Sequence, residues 1–168
     1  GKKVLILGTG GTSKTARVVS EDMGASEILV VSRNKKENCI TYEEAKKLHL
    51  DAEVIINTTP SGMYPDVDSR PIDISAFSSL EGVVDAVYNP LTTNLVSDAK
   101  KRGIKAGSGL YMLVMQAAGA VEKFLGTQIP KETADSVFRS VLAAKENIVL
   151  TGMPGSGKTS TGKLIASS

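Results

Sequence analysis

The sequence predicts an α/β protein built on a doubly wound parallel sheet, with helices on both faces and strand order 3-2-1-4-5-6. Two observations carry this expectation: short apolar runs alternate with segments of helical periodicity, and a glycine-rich turn joins the first run to the first helix. A length of 168 residues suits one main domain with little left over. Residues 3–7 form a short apolar run that reads as a buried parallel strand. Residues 12–23 follow as a helix, with Ala16, Val18, Val19 and Met23 at helical spacing and Gly24 closing it. Residues 27–31 read as a second strand and 39–41 as a short third. Thr41, followed by Tyr42, Glu43 and Glu44, can cap a short helix through Leu48. Residues 53–57 form a strand ending at the turn-rich stretch 58–65. Residues 82–85 and 104–106 complete the sheet, with a helix over 94–102 between them. Residues 109–124 read as a long apolar helix ended by Gly126, in which Met112, Leu113 and Val114 are expected in the core. Right-handed crossovers then give the strand order. Beyond Gly126, residues 132–145 form an amphipathic helix with Ala134, Val137, Phe138, Val141 and Leu142 on one face. Residues 147–151 read as a new strand. The expected division is a nucleotide-binding domain over 1–126, a C-terminal helix and linker over 127–146, and a separate short unit over 147–168.

Composition removes several function classes. The formal net charge is +2, and no basic stripe with interleaved aromatics appears, so nothing points to nucleic acid. Cys39 is the single cysteine, which excludes an intramolecular disulfide and makes a cytoplasmic location the natural expectation. His49 is the single histidine, so a Cys/His zinc site is excluded. Neither residue sits in a motif, and both read as incidental. No apolar run reaches the ~18 residues of a membrane span, and residues 4–7 are too few for a secretory signal. The abrupt opening on Gly1-Lys2-Lys3 before a strand points to a piece of a longer protein.

Gly8-Thr9-Gly10-Gly11-Thr12-Ser13 joins the first strand to its helix. Gly8 permits the tight turn, Gly10 lets backbone approach a pyrophosphate, and the helix N-terminus offers free N–H groups and a positive dipole end. This is a variant of the Rossmann G-x-G-x-x-G pattern, with the third glycine displaced to Gly11 and Ser13 in the last slot. The end of the second strand selects the cofactor. NAD-binding folds place Asp or Glu there to accept from the ribose 2′-OH. Here Ser32-Arg33-Asn34 stand in that place, followed by Lys35 and Lys36. A guanidinium suits a phosphate dianion and no carboxylate repels it, so NADP(H) is favoured over NAD.

Three further segments lie at strand ends, where such sheets bind ligands. They are Asn57-Thr58-Thr59-Pro60-Ser61-Gly62-Met63, then Asp85-Ala86-Val87-Tyr88-Asn89-Pro90 with Thr93, then Gly109-Leu110-Tyr111-Met112-Leu113-Val114-Met115-Gln116-Ala117. In that order they resemble the N-T-T-P-x-G-M, D-x-x-Y-N-P-x-x-T and G-x-x-M-L-x-x-Q-A motifs of shikimate dehydrogenases, a resemblance covering residues 1 to about 144. It implies NADP-dependent reduction of 3-dehydroshikimate to shikimate, a step of chorismate and aromatic amino acid biosynthesis. It implies that Asn57, Thr58, Thr59, Gly62 and Met63 lie along the cofactor, that Ala86 and Gly109 present backbone near the nicotinamide with Met112 beside it, and that Tyr88 and Gln116 reach the substrate. A Gln amide both donates and accepts, which suits a polyhydroxylated ring. In that family the catalytic Lys and Asp and the substrate-carboxylate serines belong to an N-terminal domain. No catalytic residue is therefore expected in this chain, and the helix over 132–145 would pack on that domain. A quinate/shikimate dehydrogenase and an NADP sensor or scaffold are the alternatives.

Gly152-Met153-Pro154-Gly155-Ser156-Gly157-Lys158-Thr159 fits the phosphate-loop pattern G-x-x-x-x-G-K-[ST]. Gly152, Gly155 and Gly157 would let backbone N–H groups cradle the phosphates of ATP, Lys158 would reach the β and γ oxygens, and Thr159 would bind Mg²⁺. With residues 161–166 after it, the segment resembles the start of a shikimate kinase, which implies a multifunctional protein. One strand and one helix cannot bury enough surface to fold alone. The loop is therefore expected to be inactive here, and self-association through the unpartnered tail is an expected consequence.

Overall fold

The structure, a computed structural model, describes residues 1–145 and 150–166. Six parallel strands are arranged β3-β2-β1-β4-β5-β6, the order expected from the sequence. They are β1 (Lys3–Leu7), β2 (Glu27–Ser32), β3 (Ile40–Thr41), β4 (Val54–Asn57), β5 (Gly82–Asp85) and β6 (Lys105–Ser108). The central strand β1 pairs with β2 on one side and β4 on the other, Leu7 lying opposite both Val31 and Asn57. It is apolar on both faces because both are covered: Leu5, Ile6 and Leu7 are fully buried. Helix α1 (Gly11–Asp22) covers one face. Helices α2 (Tyr42–Leu48) and α3 (Asn94–Lys101) cover the other.

The larger core lies under α2 and α3, where Leu5, Leu7, Val31, Ile55, Phe77, Val83 and Leu95 pack together. Ile72, Ile74, Phe77 and Leu80 reach this core from the connection between β4 and β5, which contains no helix. That connection is pinned from α3 and its end: Arg102 donates to the carbonyls of Ile74 and Phe77, Asn94 donates to Val67 and Asp68, and Arg70 pairs with Asp98 at 2.8 Å. At the N-terminal ends of the strands, Lys2 bridges Glu53 and Glu81 while Lys3 bridges Glu27 and Asp51. Lys2 makes its pairs at the surface, where such pairs are of modest worth, while the Lys3 side chain is half-buried. The opposite, C-terminal ends are left for loops.

Helix α4 (Leu110–Leu125) ends at Gly126 in the left-handed conformation, φ +64°. It turns back through α5 (Lys131–Lys145), and the two helices are joined by an edge-to-face contact of Tyr111 and Phe138 and by the Tyr111 hydroxyl donating to Asp135 at 2.9 Å. The core expectation for α4 holds for Val114 but not for Met112 and Leu113, which are exposed. The physical reason is that α4 leaves the sheet after its first turn and packs on α5, so only Leu110 and Val114 stay buried. On α5, Ala134 alone of the expected apolar face is buried, and Val137 is exposed.

The strand expected over 147–151 falls mostly outside the described residues. Leu150 and Thr151, which are described, are not in a strand. The glycine-rich segment after them opens α6 (Lys158–Ala166), as the motif requires. Among the described residues, no helix is long and apolar enough to cross a membrane, and no group of His, Cys, Asp and Glu could hold a metal ion.

Candidate functional site: a dinucleotide cleft at the strand ends

The first glycine loop is fixed by its neighbours. Gly8 sits at φ +104°, its N–H donates to Val31 at 2.9 Å, and a Cβ there would meet Thr59 Cγ2 at 2.9 Å and Thr58 Oγ1 at 3.0 Å. No side chain could occupy this position without moving the next loop. Gly10 and Gly11 are the opposite case: a Cβ on either would meet nothing within 4 Å, so the helix start faces open space. Gly10 is the N-cap of α1, no side chain caps the helix, and its first turn holds no acidic residue. Ser13 donates its hydroxyl to the Gly10 carbonyl at 2.6 Å, so it braces the loop rather than facing outward. The free N–H groups and positive dipole end are therefore available to an anion.

A cavity of about 810 Å³ runs from this loop to the end of β2. Gly8, Thr9, Gly10, Ser32, Arg33, Asn34, Lys36, Thr58, Thr59 and Met63 line it, all of them expected site residues. Lys36 Nζ donates to Thr9 Oγ1 at 3.2 Å and so ties the two loops together. Lys35 is engaged elsewhere, with Glu44, whose carboxylate also accepts from Thr41 N–H while Thr41 Oγ1 caps Glu44 N–H. The Lys35 ammonium, helped by the Thr41 N–H, holds the Glu44 carboxyl down at about 2. This is the capping box expected for α2. Among the described residues the Arg33 side chain makes no ion pair. It lies close to Tyr42, whose phenol is pushed up by burial and drawn partly back by Arg33. Tyr42 and Arg70 also line this cavity and were not anticipated; both lie outside the glycine loop and the strand-end motifs.

A second cavity, of about 560 Å³, lies between α1 and the face of β4 and β5, running from Gly1 and Val54 at the N-terminal strand ends to Ala86 and Gly109 at the C-terminal ends. Thr12, Thr58, Ala86, Gly109 and Met112 line it, and Thr58 borders both cavities. Gly109 is packed so tightly on Ala86 that a Cβ would fall 2.1 Å from the Ala86 carbonyl oxygen. Its N–H donates to Val87 at 3.0 Å, and its carbonyl accepts from Leu113 as α4 begins.

A buried polar cluster backs the two cavities, with Asp85 in the wall of the second and Thr59 in the wall of the first. Asp85 is fully buried. Its carboxylate accepts from Asn57 Nδ2 at 2.9 Å, Val87 N–H at 3.0 Å and Thr93 Oγ1 at 2.6 Å. Burial pushes the Asp85 carboxyl up from its ordinary value, and these three donors pull it partly back. Asn57 Oδ1 accepts in turn from both Thr59 N–H at 3.0 Å and Thr59 Oγ1 at 2.7 Å. Thr58 donates its hydroxyl to Leu7 at 2.6 Å. Asn57 was expected along the cofactor, but it is fully buried, so it stands behind the loop surface and shapes it. The reason is that a strand-end carboxylate without a cation needs an amide donor. Gly11 and Gly62 border neither cavity directly, and Gly62, at φ +87°, turns the loop against Ser69 and Thr93. Tyr88 and Gln116 are exposed beyond the cavity rims, Gln116 one helical turn after Met112 on α4.

The second glycine loop has its own geometry. Gly152, Gly155 and Gly157 all have positive φ, and Lys158 Nζ folds back onto the carbonyls of Gly152 at 2.8 Å and Met153 at 2.7 Å. Thr159 is exposed. Cys39 is half-buried, and His49 Nδ1 is buried without a partner; neither lines a cavity.

No family model matches the chain. A shikimate dehydrogenase (NADP(+)) of Clostridium perfringens is 32% identical over 151 residues, covering 84% of this chain and 55% of that protein. The crystal structure of shikimate dehydrogenase 1 from Peptoclostridium difficile is 36% identical with a TM-score of 0.79, over 88% of this chain and 56% of that one. Shikimate 5-dehydrogenase from Thermus thermophilus, solved with NADP(H) and shikimate, is 26% identical with a TM-score of 0.68, over 83% of this chain and 55% of that one. The chain spans about half the length of the curated relatives it matches.

Proposed function

Because the chain carries a shikimate dehydrogenase-like domain of Rossmann type, we propose that it binds NADP(H) across the two cavities and serves as the cofactor half of a shikimate dehydrogenase. The observation that carries the cofactor choice is the unpaired Arg33 at the end of β2, with Lys36 beside it and no carboxylate between Ser32 and Lys36. A 2′-phosphate there gains charge-assisted bonds, and a bare 2′-hydroxyl finds no carboxylate acceptor. The pyrophosphate belongs at Gly10, Gly11 and Thr12, where the start of α1 is open. NADPH supplies a hydride when bound. This chain's residues bind it, orient it and present Ala86, Gly109 and Met112 to its second half. Tyr88 and Gln116 extend from that end toward a polyhydroxylated substrate. In the full protein the reaction is reduction of 3-dehydroshikimate to shikimate, with proton transfer left to groups outside this chain; this fragment alone binds cofactor and turns over no substrate. A quinate/shikimate dehydrogenase preferring NAD is disfavoured by the same Arg33.

For the tail we keep the kinase reading: residues 152–159 match the phosphate-loop pattern and open α6, so ATP would meet the loop glycines and Lys158, and Mg²⁺ would meet Thr159, once a kinase sheet lies beneath them. The division at residues 126 and 146, a cytoplasmic location and self-association through the tail belong to the same reading.

Calorimetry with NADPH and NADH on the wild type and on Arg33→Asp tests the cofactor choice. Losing a charge-assisted contact costs about 1.5–3 kcal/mol, so NADPH affinity is expected to drop roughly 10- to 100-fold while NADH gains relative to it. An unchanged ratio of the two affinities would remove Arg33 from the site.

A further inference from the structure

Asp85 poses a question that cofactor binding alone does not answer. A carboxylate is costly to bury without a cation, and this one is fully buried with none among its partners. Its three bonds run to three different places. Asn57 ends β4 and, through Oδ1, fixes both the N–H and the hydroxyl of Thr59 on the loop lining the first cavity. Val87 follows Ala86, and its carbonyl holds the N–H of Gly109 at the start of α4. Thr93 caps α3, accepting from Val96 N–H at 3.3 Å. The Asp85 side chain thus joins the end of β4 to the connection after β5, and that connection holds the start of α4 through Val87; Ala86, Gly109 and Met112 line the second cavity.

In a doubly wound sheet the β1–β3 half holds the adenosine mononucleotide and the β4–β6 half holds the other. Arg33, Lys36 and Gly10 belong to the first half. The Asp85 cluster reaches that half through Asn57, which holds Thr59, and among the described residues it makes no hydrogen bond to Arg33, Lys36 or Gly10. We propose that Asp85, with Asn57 and Thr93, is a positioning residue chiefly for the second mononucleotide: its carboxylate, turned into the bonds from Asn57, Val87 and Thr93, sets the spacing between the Ala86 loop and the start of α4. The inference rests on NADP(H) binding at this cleft, and its test separates the two ideas.

The probes are NADPH and 2′,5′-ADP, which carries only the adenosine half with its 2′-phosphate. Calorimetry is run on the whole chain as wild type, Asp85→Asn, Thr93→Val and Thr93→Ser, with circular dichroism establishing that each is folded. Asp85→Asn keeps one acceptor oxygen but replaces the other with a donor facing Thr93, so the cluster persists in altered geometry. The expected result is that Asp85→Asn and Thr93→Val bind 2′,5′-ADP like the wild type and lose tenfold or more in NADPH affinity. Thr93→Ser, which restores the hydroxyl, should recover NADPH binding. A general loss of structure would weaken both ligands together, and that outcome overturns the assignment. So does wild-type affinity for NADPH in both folded variants. If the wild type binds neither ligand, the cofactor reading itself fails and the inference falls with it.

Discussion

The chain contains two glycine-rich loops, each opening a helix, and they differ in what lies beneath them. The loop at Gly8 to Thr12 is seated on a six-stranded sheet: Gly8 is held by Val31, packed on Thr58 and Thr59, and Lys36 crosses to Thr9 from the next strand end. The loop at Gly152 to Thr159 is tied together by its own atoms, with Lys158 bonded to two carbonyls of the loop and Ser156 N–H to Met153. Among the described residues, none from 150 to 166 joins the sheet. The lesson is that a glycine pattern specifies a local backbone shape. A binding site needs further loops to bring charge and walls to that shape, and among the described residues the sheet supplies them to the first loop.

Matched substitutions in the two loops should have unequal effects. Gly8→Ala combines a positive φ with a 2.9 Å contact, and overpacking of this kind typically costs about 1–3 kcal/mol. It should lower the thermal midpoint of the sheet domain and weaken NADPH at least tenfold. Gly155→Ala has a similar backbone strain, φ +80°, but meets nothing within 4 Å. Its cost, about 1–2 kcal/mol for the left-handed conformation, falls on the tail, and neither the main unfolding transition nor NADPH affinity should move. Scanning calorimetry and nucleotide titration check both. Equal effects would mean that the two loops are supported alike.

Smaller effects reach the first loop through α2. Thr41→Ala removes the N-cap and is expected to cost ~1 kcal/mol, read from a urea midpoint shift at constant slope. The same cap gives a pH signature. Glu44 titrates at about 2 in the folded chain against an ordinary 4.5. A carboxyl whose folded pKa is depressed stabilises fully above its unfolded value, and that contribution fades as pH falls through the window between them. Wild-type stability should therefore decline relative to Glu44→Gln as pH falls from 4.5 toward 2. Parallel curves would separate Glu44 from the Lys35 and Thr41 contacts.

Much of this architecture could be read before the structure, and the reasons are local. The strand order follows from short apolar runs alternating with helices, since a parallel strand buried on both faces has little choice of composition, as Leu5, Ile6 and Leu7 illustrate. The capping box at Thr41 and Glu44 was legible because both partners lie within one turn. What escaped depends on distant contacts. Met112 and Leu113 look like core in a helical pattern, but where α4 leaves the sheet is a tertiary matter. Asn57 looks like a ligand contact, but its partner Asp85 is 28 residues away. The clue available was an acidic residue ending an apolar parallel strand, which must find donors. Tyr42 and Arg70 enter the cavity wall from α2 and the helix-free connection, and no motif marks either.

In this chain the phosphates of NADPH are recognised by the first glycine loop and not by the second. Amide chemical shifts of the isotopically labelled chain, followed by NMR as NADPH is added, test it most directly. Saturable shifts are expected at Gly10, Gly11, Thr12 and Arg33, with residues 152–159 unmoved. Shifts confined to residues 152–159, or none at Gly10 to Thr12 at saturating NADPH, would contradict it.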